Sequence, residues 1–205
     1  MARRIDVKGF EALFQTDPDP WDYESSPFEA HKRKVLLNHI GLRSRGRVLE
    51  LACANGVTTQ ALMRCALRTT ALDASATAIA QANLRLKDKD RLRLLHAKLP
   101  GGMPRELFDL IVVSEIVYYL RRDAYTRLAK EISTRIAPGG RVVVLHHHVN
   151  FPDATVRPEQ AHRDFVRLLE ERLKLVRSSR YARYRVSVFD AGRNRENDHD
   201  AFARR

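Results

Sequence analysis

Two carboxylates, with a turn of small residues between them, carry the first chemical information in this 205-residue chain. Glu50 stands inside the run V-L-E-L-A-C-A-N-G at 48–56, and Asp73 closes a second run, T-A-L-D, 23 positions after Glu50. An apolar strand, a small-residue turn, a helix and a second strand ending in an acid form the pattern by which a Rossmann-like sheet holds an adenosine. The offset is close to the roughly 20 residues expected between such a turn and the acid on the ribose. A nucleoside cofactor is the implied ligand. The turn is poor in glycine, however: only Gly56 is one, and Ala52 and Ala54 fill the other small positions. A methyl group in left-handed backbone costs about 1–2 kcal/mol, so the alanines are tolerable only if neither position needs positive φ.

From residue 48 onward, short β-branched runs alternate with helical patterns, the signature of βαβ units and a parallel sheet. Strands are read at 47–51, 69–72, 92–96, 107–114, 141–147, 173–180 and 183–189, and helices at 57–65, 76–86, 123–136 and 158–171. Pro138 is expected to stop a helix, with Gly139 and Gly140 turning the chain into a buried strand. Only Tyr181 and Ala182 separate the last two strands, which makes them an antiparallel hairpin. The fold class is therefore α/β: a Rossmann-like, seven-stranded, mostly parallel sheet with a C-terminal antiparallel hairpin and an N-terminal helical lid. Ser26 followed by Pro27 and Glu29 starts the lid helix. Three units are expected: a lid at 1–40, a cofactor-binding domain at 41–190, and a disordered tail at 191–205, whose R-N-R-E-N-D-H-D is too polar to bury.

With these pieces in order, the chain resembles the class I S-adenosylmethionine-dependent methyltransferases, and within them the nodulation protein S family of N-methyltransferases. D-P-W-D-Y-E-S-S-P-F-E at 19–29, V-L-E-L-A-C-A-N-G at 48–56 and F-D-L-I-V-V-S-E-I-V-Y-Y-L at 108–120 carry the likeness. It implies S-adenosyl-L-methionine as cofactor and S-adenosyl-L-homocysteine as product. Glu50, Ala52, Cys53 and Gly56 would bring backbone to the methionine and ribose, Asp73 would accept from the ribose hydroxyls, and Ala74 would flank the adenine. Lys98 and Leu99 stand where relatives put an acid on the adenine amino group, which Lys98 cannot replace because it has no acceptor. Ser114 and Glu115 end the fourth strand at the sulfonium. Trp21 belongs to a lid over the cofactor.

An amine acceptor must be neutral to attack, and a carboxylate or imidazole within reach can take its proton. Glu115 and His146 are the catalytic candidates. Strand alternation sends His146 and His148 to one side and His147 to the other, so His148 joins Tyr23, Tyr118 and Tyr119 as a substrate contact. A satisfied loop histidine and core tyrosines are the competing readings. No metal is expected, since neither a cysteine nor H-E-x-x-H accompanies the histidines. The resemblance implies the free amine of a de-N-acetylated glucosamine in a chitooligosaccharide or related glycan, as in Nod-factor-type biosynthesis. Asp17, Asp19, Asp22 and Glu24 of the lid would attract such an ammonium. A hydroxyl or carboxyl acceptor on another glycan or metabolite is the first alternative.

The second alternative is a basic RNA-binding protein or RNA methyltransferase, raised by the net charge of +12. Residues 1–40 hold six basic and seven acidic side chains, so the whole excess lies beyond them. It is spread in short groups such as Arg121-Arg122 rather than in a binding block, which makes nucleic acid a weaker partner than an amino sugar. No run of 18 apolar residues suggests a membrane span, and Arg3 and Arg4 lead into polar sequence rather than a secretory signal. Cys53 and Cys65 read as reduced thiols. A cytoplasmic location is expected, and nothing indicates the oligomeric state.

Overall fold

A computed structural model describes residues 5–41 and 43–192. Two helices precede the sheet. α1 (Val7–Thr16) opens on Asp6, whose side chain accepts from the Gly9 N–H, and it presents Val7, Phe10 and Phe14 at i, i+3 and i+7. α2 (Pro27–Ile40) opens on Ser26, with Pro27 in its first turn and the Ser26 hydroxyl accepting from the Glu29 N–H. Then follow β1 (Arg45–Leu51), α3 (Val57–Leu62), β2 (Ala66–Asp73), α4 (Ala76–Arg85), β3 (Leu92–His96) and β4 (Phe108–Ser114). The chain closes with α5 (Arg122–Arg135), β5 (Ile136–His147), α6 (Pro158–Glu170), β6 (Lys174–Arg180) and β7 (Tyr184–Asp190).

The seven strands form one sheet in the order β3-β2-β1-β4-β5-β7-β6. β1 to β5 pair in parallel, and β7 lies antiparallel between β5 and β6. Strand order reverses between β1 and β4, which opens a crevice at their carboxyl ends where open α/β sheets bind ligands.

Alternation sorts the strand residues onto two cores. Leu49, Leu51, Ile111, Val113, Val142 and Val144 pack on the side of α5 and α6. Val48, Leu110, Val112, Val143 and Leu145 face α2, whose Val35, Leu36 and Ile40 are buried against them.

The structure departs from the sequence reading in several places. Half of the expected lid, α2, belongs to the helical layer of the sheet. α1 is a helix that the reading passed over. The helix ahead of β5 ends at Arg135, short of Pro138, and Pro138, Gly139 and Gly140 lie within β5, where the pairing with β4 shifts register. Pro138 and Gly139 are exposed there, so the missing N–H of proline costs the ladder nothing. Residues 193–205, most of the expected tail, lie outside the described residues. Among the described residues no helix is long and apolar enough to cross a membrane.

Candidate active site

Two adjoining compartments occupy the crevice at the carboxyl ends of β1, β2 and β4. The larger, about 440 Å³, is floored by Ala52, Ala54, Asp73, Ser114 and Glu115, and roofed by Ile5, Val7, Phe10 and Phe14 of the α1 segment together with Trp21. The smaller, about 40 Å³, is lined by Arg33, Glu50, Cys53, Asn55 and Thr58, and it shares Tyr23, Glu29, Lys32, Ala52, Ala54, Ser114 and Glu115 with the larger.

The turn after β1 does need positive φ at both alanines, the condition under which they are costly. Ala52 has φ 57° and Ala54 φ 49°, both left-handed. The turn is held by hydrogen bonds: the Cys53 N–H donates to the Leu72 carbonyl at 3.0 Å, and the Ala54 N–H donates to Asp73 Oδ2 at 2.9 Å. These bonds impose the left-handed backbone on residues that resist it. Gly56, at φ 82°, begins α3 and lines neither compartment. A methyl group there would lie 3.0 Å from Ala82 Cβ, so this glycine lets the turn pack on α4.

Asp73 lines the large compartment with one lone pair of each oxygen used by backbone, Oδ2 by Ala54 and Oδ1 by the Ser75 N–H at 2.9 Å. Burial raises its pKa against those bonds, and each oxygen keeps acceptor capacity for a hydroxyl. Ala74, Ala97 and Leu99 wall the same end. Lys98 does not: it is exposed, and its carbonyl accepts from the Gly102 N–H. A ligand base there meets apolar side chains and backbone, and the Lys98 side chain takes no part in the wall. Glu50 is buried and lines the small compartment, where its carboxylate accepts from the Thr59 hydroxyl; burial pushes its pKa up to about 8.

Glu115 is the hub. It too is left-handed, at φ 56°, and its carboxylate is fully engaged. Oε1 accepts from Lys32 Nζ at 2.8 Å and meets His147 Nδ1 at 2.7 Å; Oε2 accepts from the Tyr118 hydroxyl at 2.8 Å and the His147 N–H at 2.9 Å. Burial favours the neutral acid, but the Lys32 ammonium and His147 overcome it and hold the carboxyl well below the usual range. Lys32 also pairs with Glu29 at 2.8 Å, and the two carboxylates keep its ammonium protonated against the burial that would discharge it. Two carboxylates thus face one ammonium at the compartment wall, and the excess negative charge favours a cationic ligand.

His146 is not at this site. It follows Val142 and Val144 into the core beneath α6 and is 0% exposed. Its Nε2 accepts from the Val117 N–H at 3.5 Å, so Nδ1 carries the proton and donates to His162 Nδ1 at 3.1 Å; His162 Nε2 in turn donates to Ser187 Oγ at 3.0 Å. Burial lowers the pKa of His146 to about 4 and that of His162 to about 2, which makes the chain a neutral structural network. His148 lines neither compartment and bonds the Ala182 carbonyl through Nε2. His147, on the opposite side of the strand, is the histidine that lines the cavity.

Among the aromatic candidates, Trp21, Tyr23, Tyr118 and Tyr119 all line the large compartment, Tyr118 being buried with its hydroxyl committed to Glu115. Trp21 lies 5.6 Å from the Phe14 ring and 5.7 Å from Tyr23, and Phe10 meets Tyr119 edge-on at 4.8 Å, closing a roof from α1 to the segment after β4. The acidic residues of the lid serve this roof rather than a ligand. Asp17 and Asp19 accept from backbone N–H groups of their own loop, Asp19 also accepts from Asn55 Nδ2, and Glu24 pairs with Arg85 at 2.9 Å. None of these acids lines either compartment, nor does Asp22. Lys32, Glu29, Arg33 and the α1 residues were not foreseen; only the Val7, Phe10, Phe14 spacing signalled any of them.

Comparison with known proteins gives the following. Residues 11–144 match the family model described as nodulation protein S (NodS). The chain is 33% identical over 129 residues to nodulation protein S of Sinorhizobium fredii, covering 61% of this chain and 59% of that protein. It is 32% identical over 127 residues to nodulation protein S of Rhizobium tropici, covering 61% of this chain and 53% of that protein. The matches therefore span little more than half the length of these relatives. Among solved structures, the fold is similar to N-methyltransferase NodS of Bradyrhizobium japonicum in complex with S-adenosyl-L-homocysteine. That similarity has a TM-score of 0.77 at 24% identity, covering 90% of this chain and 97% of that one.

Proposed function

Since the chain belongs to the nodulation protein S family, we propose that it transfers a methyl group from S-adenosylmethionine to the free amine of an amino sugar, a de-N-acetylated glucosamine unit of an oligosaccharide. The observation that carries this reading is the Glu115–Lys32–Glu29 cluster. Its excess of negative charge borders the cavity where an ammonium acceptor and a sulfonium would meet. The same charge opposes a phosphate-bearing acceptor, which argues against RNA.

The residues present fit the cofactor. Asp73 has lone pairs left for the ribose hydroxyls, and Ala74, Ala97 and Leu99 offer an apolar slot to the adenine. In the small compartment Arg33 suits a carboxylate, and Asn55 Oδ1, buried with no hydrogen-bond partner among the described residues, suits an ammonium donor; together they match an amino acid tail. When bound, the cofactor supplies an electrophilic methyl on a sulfonium. The chain's own contribution is orientation and exclusion of water by the Phe10, Phe14 and Trp21 roof, which can reach roughly 7–11 kcal/mol in the best-oriented cases.

The test has two arms. Calorimetry should show S-adenosylhomocysteine binding that Asp73→Ala abolishes. Purified protein with methyl-labelled cofactor should then label de-N-acetylated chitooligosaccharides. Binding without transfer to any amine, alongside transfer to another acceptor, would reject the amine reading.

A further inference from the structure

We propose that His147 takes the proton from the acceptor's ammonium, and that Glu115 is the positioning residue that holds its ring in the required tautomer. This deepens the amine reading above and rests on it.

An ionised carboxylate only accepts, so the imidazole nitrogen 2.7 Å from Glu115 Oε1 carries the proton. Nδ1 of His147 is therefore N–H, and in the neutral ring the lone pair lies on Nε2. Among the described residues Nε2 has no hydrogen-bond partner, and His147 lines the large compartment with Tyr23 and Ser114. The His147 N–H donates to Glu115 Oε2 as well, so backbone and ring are fixed by one carboxylate. The Phe28 ring, 5.6 Å away, backs the imidazole.

Glu115 is a poor proton acceptor in its own right. Both oxygens are occupied, and the ammonium of Lys32 holds the group ionised far below neutrality. Those features suit it to stabilise an imidazolium. The charged groups around His147 come from each neighbouring element. Glu115 follows β4 and favours the charged ring, and Glu29 of α2 adds to it; Lys32 of α2 opposes it, as does Arg183 of the β6–β7 turn, whose guanidinium lies 3.6 Å from the Phe28 ring. His146, the next residue along the strand, is buried and neutral, and His148 and Tyr184 complete the set.

The step balances. An N–H bond of the acceptor ammonium breaks as the Nε2–H bond forms, and its electron pair remains on the amine nitrogen. That pair makes the nitrogen–carbon bond to the methyl, the carbon–sulfur pair leaves with sulfur, and the imidazolium returns its proton to water.

The experiment compares wild-type protein with His147→Gln on a de-N-acetylated chitooligosaccharide across pH, with S-adenosylhomocysteine affinity measured in parallel. Below the amine's own pKa, kcat/KM of the variant should fall by about 100-fold. The deficit should shrink towards unity as the amine becomes neutral in solution, while S-adenosylhomocysteine affinity holds. A deficit that is the same at every pH, or superimposable profiles, would overturn the assignment. Nitrogen-detected imidazole spectra of the wild-type protein give a reading independent of turnover and of the variant's folding. They should show a ring protonated at Nδ1 and bare at Nε2 that disappears in His147→Gln; the opposite tautomer would refute the proposal. A wild-type protein that transfers no methyl to any amine would instead defeat the amine reading, leaving the spectrum to decide the tautomer.

Discussion

The two alanines of the cofactor turn make a quantitative test of how this backbone is held. Ala52 and Ala54 stand at φ 57° and 49°, where an L-residue costs about 1–2 kcal/mol relative to glycine. Replacing either with glycine removes that strain but loosens the unfolded chain, which costs about 0.4–1 kcal/mol. Both alanines line the compartments and are only partly buried, so little packing is lost. The net expectation for Ala52→Gly or Ala54→Gly is a gain of about 0.5–1 kcal/mol, or a rise in Tm of about 1–4 °C for a domain of this size. The pair lies two residues apart in one turn, so the double variant should not simply add. Ala74, on the same cavity but outside the left-handed region, is the control: Ala74→Gly keeps only the entropic term and should lower Tm. Urea unfolding without ligand reads all three. If Ala52→Gly and Ala54→Gly destabilise the protein as Ala74→Gly does, the strain argument is wrong.

Further outcomes follow from the buried charges. Lys32→Met strands Glu29 and Glu115 without their cation and should cost about 3–5 kcal/mol at pH 7 by urea unfolding. The loss should narrow as pH falls, because a Glu115 freed of Lys32 takes up a proton more readily. Glu50 behaves oppositely to a paired carboxylate: its folded pKa of about 8 lies above the ordinary 4.5, so the stability it contributes is complete below 4.5 and is lost as pH rises to 8. Glu50→Gln should flatten that slope, gaining on the order of a few kcal/mol over the wild type at pH 9. Glu11 fastens the roof helix to α4 by accepting from the Ser75 and Thr77 hydroxyls at 2.7 and 2.6 Å, bonds that lower its pKa to about 2. Glu11→Ala should weaken S-adenosylhomocysteine binding in calorimetry, and in the wild type this latch should hold above pH 4.5 and fail as pH falls towards 2.

The sheet was legible because its central strands β1, β2, β4 and β5 carry apolar runs bounded by turn residues, and because the short spacing between β6 and β7 leaves room only for a hairpin. The acids at strand ends were legible for the same reason. What depends on tertiary closure was not. Glu29 and Lys32, three apart on a helix, read as an ordinary surface pair until Glu115, 83 residues beyond Lys32, closes on them. Strand alternation separated His146 from His147 but did not say which side holds the cavity. The packing decides it: Val142, Val144 and His146 descend into the α5–α6 core, while Val143, Leu145 and His147 turn towards α2. The lid acids misled because a charge in a loop serves a ligand or the loop's own N–H groups equally well in sequence. α1 carries its signal in Asp6 as N-cap and the Val7, Phe10, Phe14 spacing, but ten residues opening on V-K-G give only a short apolar stripe.

Methyl transfer to an amine is the central claim, and the position of the new methyl group tests it most directly. With carbon-13-labelled S-adenosylmethionine and a chitooligosaccharide bearing one free amine, the product's spectrum should show the label on nitrogen, and the fully N-acetylated sugar should stay unlabelled. Label on a sugar hydroxyl, or equal labelling of the two sugars, would contradict it.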